Sequence, residues 1–177
     1  MRSNVQRLAE TAVFTALAFI FSYIESLFPL PIPFPGIKLG LANLIIVLLL
    51  YRSGFAAAFT VSMIRNILNS MTFGSLFGLF YSLAGSILSL LAMEGLRRLK
   101  RADFSIISVS CAGGIVHNIG QMIVASALVG YEAILHYFPF LYFAGFTAGI
   151  LIGILAKMCQ KKIFFKKNSH CHTSNRS

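Results

Sequence analysis

The chain has 177 residues, 57% of them hydrophobic and 11% charged, with a mean hydropathy of +0.80 and a formal net charge of +10. A soluble domain carries roughly 25% charged residues, so this sequence lacks the polar groups to cover a water-facing surface, and a soluble catalytic domain is excluded. The cationic excess would suggest nucleic acid in a soluble chain, but these charges lie at the ends of apolar runs, where they orient a membrane protein, and nucleic acid is set aside as a partner.

At roughly 20 apolar residues per crossing, the length suits one all-α integral membrane bundle of about six transmembrane helices. The first segment, 6–28, follows Arg2 and Arg7 and stops at Pro29. Its apolar run is too long for a signal peptide and has no clean small-residue cleavage site, so it is expected to stay as a first helix. The second, 39–51, is short: at 1.5 Å per residue it covers about 20 Å of a roughly 30 Å hydrocarbon core. The loop before it is expected to dip into the protein. Segment three covers 55–70 and segment four 73–96, closed by the basic run Arg97-Arg98-Leu99-Lys100-Arg101. Segments five and six cover 104–129 and 134–157. The transmembrane domain is thus 1–158, and the basic remainder, 159–177, is expected to be a cytoplasmic tail without fixed structure.

Cys111, Cys159 and Cys171 are far apart and imply no disulfide framework. His170-Cys171-His172 could pick up a metal ion, but one short cluster does not make a closed site, and no metal or cofactor is expected. With the N-terminus cytoplasmic, six crossings return the C-terminus there too. The cytoplasmic side then holds Arg2, Arg7, Arg52, Arg97, Arg98, Lys100, Arg101 and the tail, while the outer side holds only Lys38. That bias matches a multi-pass protein of the plasma membrane, and an odd number of spans would break it.

Polar groups inside spans face protein or a water-filled cavity. In segment three Ser62, Arg65, Asn66 and Asn69 share one helical face. Segment five repeats this with Ser110, Gly114, His117 and Gln121, beside Asn118, and segment one carries Thr11, Thr15, Ser22 and Glu25 along one side. Counted from the cytoplasmic end, Glu25, Arg65, Asn66, Asn69, Tyr81, His117, Asn118 and Gln121 fall in the outer half of the membrane. A hydrated pocket opening outward is expected. A single Ser, Thr or Asn can simply bridge helices, and His117 can be a satisfied hydrogen-bonder. Arg65 differs, because a buried guanidinium needs Glu25, a ligand anion or water.

The loop from Pro29 to Gly40 alternates prolines, which hold an extended backbone, and ends with Lys38 at the rim. It suits either a semi-rigid lid over the pocket or a stiff connector. Small residues mark packing faces: Gly145, Gly149 and Gly153 in segment six, Gly78, Ser82, Gly85 and Ser89 in segment four, and Ala12 and Ala16 in segment one. Such a patch is internal packing, or, on an outer helix, a dock for a partner subunit.

The run Pro35 to Asn43, Glu25-Ser26, Arg65, Phe73-Gly74, Tyr81-Ser82-Leu83-Ala84-Gly85 and His117-Asn118-Ile119-Gly120-Gln121 together resemble the Gx transporter family, also labelled heptaprenyl diphosphate synthase component I, over about 8–156. That family looks like the substrate-binding S components of energy-coupling-factor transporters. The resemblance implies six helices with both termini cytoplasmic, a pocket near the outer face, a lid from the first loop, and a small-residue patch, here Ala12 and Ala16, that docks a transmembrane coupling subunit driven by two cytoplasmic ATPases. The chain has no phosphate-binding loop of its own.

The expected function is therefore capture of a small anionic or zwitterionic solute, with no catalytic residue. Arg65 would hold the anionic group and Lys38 would assist at the rim. Asn43, Asn66, Asn69, His117, Asn118 and Gln121 would supply hydrogen bonds. Glu25 would balance Arg65 or take a cationic group, and Phe34 and Tyr81 would pack on an apolar part. The alternative is a non-catalytic membrane partner of a prenyl synthase. Prenyl elongation needs clustered aspartates for Mg²⁺, and this chain has one, Asp103.

Overall fold

The computed structural model describes residues 4–27, 40–99, 104–130, 136 and 138–173, with the side chains of 128–129 and 163–173 outside the description. Phe34, Lys38 and the proline loop fall outside the described residues, as do Asp103 and the side chains of His170, Cys171 and His172.

The described residues form six helices and no strands: α1 (Asn4–Leu27), α2 (Leu41–Arg52), α3 (Phe55–Phe73), α4 (Leu76–Arg98), α5 (Ile106–Val129) and α6 (Phe138–Thr173). By length and composition α1, α4, α5 and the Phe138–Lys162 part of α6 can each cross a membrane. The α3 helix has the length but carries the polar stripe, and α2, with 12 residues, is the short apolar element. The protein is an all-α, multi-pass membrane protein.

Local chemistry sets most boundaries. Ser75 and Ser105 cap α4 and α5, each accepting a bond of 3.2 Å from the backbone N–H three residues on. Gly54, at φ 91°, supplies the tight turn between α2 and α3. The α3 helix runs three residues past its expected end. The α6 helix continues to Thr173, through 159–173, where the sequence suggests a tail without fixed structure. No glycine or proline follows Gly153 in this helix, so nothing in its backbone stops it.

Burial follows from hydrophobic patterning. The α2 helix is apolar all round, and Ile45, Ile46, Val47, Leu49 and Leu50 are each no more than 5% exposed. It lies against α1, α3 and α6, while α3 meets α4, α4 meets α5 and α5 meets α6. The outward faces keep large apolar groups exposed, among them Val13, Ile20, Leu91 and Ile123, as lipid contact requires.

The helix ends also sort by charge. Arg52 at the end of α2 pairs with Glu10 near the start of α1 at 2.7 Å and lies over the Phe14 ring. Glu94 near the end of α4 accepts from Arg97 at 2.7 Å and Arg98 at 2.6 Å. Arg97 is within electrostatic reach of Tyr51 on α2. The cations of α2 and α4 therefore occupy one end of the bundle.

Lipid offers little hydrophobic drive between helices, so close packing must hold α4, α5 and α6 together. Glycines provide it. A methyl group at Gly114 would run into the Gly145 carbonyl oxygen, and one at Gly149 would sit 2.6 Å from the Cys111 Cα. Across the other face of α5, one at Gly120 would lie 2.9 Å from the Ala84 carbonyl oxygen. Gly95, by contrast, has nothing within 4 Å. Gly114→Ala is therefore expected to destabilise the purified protein by about 1–3 kcal/mol, whereas Gly95→Ala is neutral or stabilising by up to about 1 kcal/mol. Thermal unfolding of the two variants in mild detergent checks the contrast.

Candidate functional site

The polar face of α3 turns into the bundle. Ser62 and Asn66 are each 2% exposed and Arg65 is 7% exposed, so a full charge sits at the centre of a membrane helix. The cost of such a charge, several kcal/mol if left alone, dictates what surrounds it. Arg65 Nη2 donates to Asn66 Oδ1 at 2.9 Å, and Asn66 Nδ2 donates in turn to Ser86 Oγ at 2.8 Å on α4. The Glu25 carboxylate exerts an opposing field on the guanidinium from α1. Asn66 thus spends its carboxamide on holding Arg65 and fastening α3 to α4.

Glu25 has a second task. Its Oε1 accepts from the Gly40 N–H at 2.6 Å, just before α2. Gly40 is left-handed, at φ 76°, and no side chain of its own caps the helix. An acidic group there suits the positive end of the α2 dipole. The bond fixes the end of α1 against the start of α2 across the proline loop.

These helices enclose a cavity of about 330 Å³. Glu25, Asn43, Arg65, Asn66, Asn69, Tyr81, His117, Asn118 and Gln121 all line it, so the nine described residues singled out in the sequence share one space. Glu25, Asn43, Asn69 and Tyr81 enter from the helix ends opposite the cationic end, whereas Arg65, Asn66, His117, Asn118 and Gln121 enter from the interiors of α3 and α5. Its deeper wall is backbone, through Gly113, Gly114, Gly145 and Gly149.

Some expected groups are occupied otherwise. Asn118 Nδ2 donates to the Leu141 carbonyl at 2.6 Å and so joins α5 to α6. Thr11 and Thr15 bond carbonyls one turn back in α1 at 2.9 and 2.8 Å, and from that stripe Ser22 and Glu25 reach the cavity. Ser86 was missed, although its spacing from Ser82 and Ser89 puts it on the same α4 stripe. Ala12 and Ala16 are exposed on α1, away from the cavity.

Among the described residues two buried polar atoms of this wall, Arg65 Nε and Asn69 Oδ1, have no hydrogen-bond partner. The cavity offers a guanidinium, amides, a phenol and an imidazole, a set suited to binding a small polar molecule. Among the described residues no cluster of His, Cys, Asp and Glu could hold a metal ion.

Comparison with known proteins agrees with this architecture. The model of the family described as heptaprenyl diphosphate synthase component I matches residues 14–159. A solved S component of a bacterial ECF transporter superposes with a TM-score of 0.74 at 22% identity, covering 91% of this chain and 96% of that one, and so shares its fold. No curated protein matches the sequence.

Coupling between Asn66 and the charge beside it is measurable. Asn66→Leu should cost about 1–3 kcal/mol, since it strips a partner from a buried guanidinium. With Arg65→Met in place the same change should cost at least about 0.5 kcal/mol less. Unfolding of the two single variants and the double variant closes the cycle.

Proposed function

The chain belongs to the heptaprenyl diphosphate synthase component I family, and we propose that it is the membrane-embedded substrate-binding component of an energy-coupling-factor-type uptake transporter. The observation that carries this reading is a cavity lined from every helix of the bundle, with the Arg65 side chain in its wall. Such a site suits binding a solute rather than transforming it: among the described residues the cavity is lined by one carboxylate, Glu25, and the sequence carries no phosphate loop. Positive charge at the opposite end orients the cavity toward the outside of a plasma membrane, with both termini cytoplasmic.

In this reading Arg65 receives an anionic group of the solute, and Asn43, Asn69, Tyr81, His117 and Gln121 shape the rest of the pocket. Asn66 and Asn118 contribute mainly by holding helices and the guanidinium in place. Lys38 and Phe34 act from the proline loop. Ala12 and Ala16 give α1 a smooth outer strip for a transmembrane coupling subunit, itself driven by cytoplasmic ATPases.

The family description suggests the other reading, a non-catalytic membrane partner of a prenyl synthase. The polar lining of the cavity, with its guanidinium, amides and imidazole, does not suit a chain of seven isoprene units as its occupant.

Affinity purification from native membranes separates the readings. The tagged protein should bring down a coupling subunit with ATPases and retain a small molecule detectable by mass spectrometry. Ala12→Leu should lose the ATPases and keep the solute, while Arg65→Ala should keep the ATPases and bind the solute at least about tenfold more weakly, or about 1.4 kcal/mol. Recovery of a soluble prenyl synthase in place of ATPases would support the alternative.

A further inference from the structure

The outer face of α6 changes character along its axis. At 1.5 Å per residue its 36 residues reach about 54 Å, well beyond a hydrocarbon core of roughly 30 Å. Toward the cationic end, Ile152 and Ala156 turn inward and are buried, and a methyl group at Gly153 would sit 2.7 Å from the Ile107 Cα of α5. Leu151, Ile154, Leu155 and Met158 turn the other way, each at least 40% exposed. Lys157, Lys161 and Lys162 are exposed on the same side. At 3.6 residues per turn, Lys162 continues the line of Leu151, Leu155 and Met158, while Lys157 and Lys161 share a face beside it. The stripe is apolar for about two turns and then cationic.

Other charges at this end are matched. Glu10 is engaged by Arg52, and Glu94 by Arg97 and Arg98. The third described carboxylate, Glu25, lines the cavity at the opposite end. The described carboxylates are thus committed to arginines or to the cavity. Tyr51 and Gln160 border one shallow groove between the end of α2 and this stretch of α6, so a phenol and an amide stand near the cations as neutral donors.

A soluble anion would match the lysines and leave the adjoining apolar stripe unused. A molecule with an anionic head on apolar chains matches both, because lysine stems lie along apolar surface while their ammonium groups reach the headgroup level. We propose that this face of α6 binds an anionic phospholipid from the leaflet at the cationic end. Lys157, Lys161 and Lys162 hold its phosphate, and its acyl chains lie on Leu151, Leu155 and Met158.

The test reconstitutes the full chain in vesicles of equal parts phosphatidylglycerol and phosphatidylcholine with the same acyl chains. The protein is extracted in mild detergent, and the lipid it retains is counted by class by mass spectrometry. Phosphatidylglycerol should be retained at least about fivefold over phosphatidylcholine, the attraction expected from one or more lysines at an anionic surface. Lys157→Gln, Lys161→Gln and Lys162→Gln combined should abolish the preference, and arginine at the same three positions should keep it. The single changes Lys161→Gln and Arg98→Gln remove equal charge from the same end, and only the first should lower the preference by more than about twofold. Equal retention of the two lipids by the unaltered chain overturns the assignment, and so do equal effects of the two single changes. Displacement of phosphatidylglycerol by inorganic phosphate, beyond that caused by chloride of equal ionic strength, would make this a site for a soluble anion and overturns it too. A triple glutamine variant that keeps the lipid but loses co-purifying protein would put a protein on this face instead.

Discussion

A guanidinium placed halfway along a membrane helix has to be met by charge, hydrogen bonds or water, and Arg65 sets that requirement for the whole bundle. Lipid cannot meet it, so α3 turns this face inward, Asn66 grips one nitrogen, Ser86 anchors Asn66 from α4, and Glu25 supplies opposing charge from α1. Among the described residues Nε is buried without a partner, and the Arg65 side chain stands in the wall of the cavity.

Glycine packing is the complementary constraint. Between α4, α5 and α6 the backbones approach so closely that a single added methyl group would meet a carbonyl or Cα at contact-breaking distance. This packing gives rigidity without bulky side chains, and it leaves backbone as the deep wall of the cavity. The polar wall on α3 thus faces a wall that has little freedom to move, which keeps the shape of the cavity well defined. At the other end, where the cations gather, Glu10 and Arg52 tie α1 to α2, and Glu94 pairs with Arg97 and Arg98 within α4.

Helix number and the polar faces were legible in the sequence because membrane chemistry writes them in plain form: long apolar runs broken by prolines and basic clusters, and polar residues at helical spacing. Arg65, Asn69, His117 and Gln121 stood out as residues unwelcome in lipid, and they meet at one cavity. What each does there was less legible. Asn66 and Asn69 read alike as amides on one stripe, yet one is consumed by Arg65 and Ser86 while the other is left open, a difference fixed by neighbours on α4 that spacing along α3 does not encode. The Glu25 bond to the Gly40 N–H was hidden for a similar reason, since it joins residues across a loop. The α6 helix continues to Thr173 through a stretch whose polarity suggests a tail, and the absence of glycine and proline there allows helix.

The central claim is that these groups surround a water-accessible space reached from the side of the membrane opposite the cations. Cysteine labelling on intact cells tests it most directly, using a membrane-impermeant maleimide and a background in which Cys111, Cys159 and Cys171 are replaced. A cysteine introduced as Asn69→Cys should react from outside, while one introduced as Ser53→Cys, next to Arg52, should react only after the membrane is opened. An unreactive Asn69→Cys together with a reactive Ser53→Cys on intact cells would contradict the account.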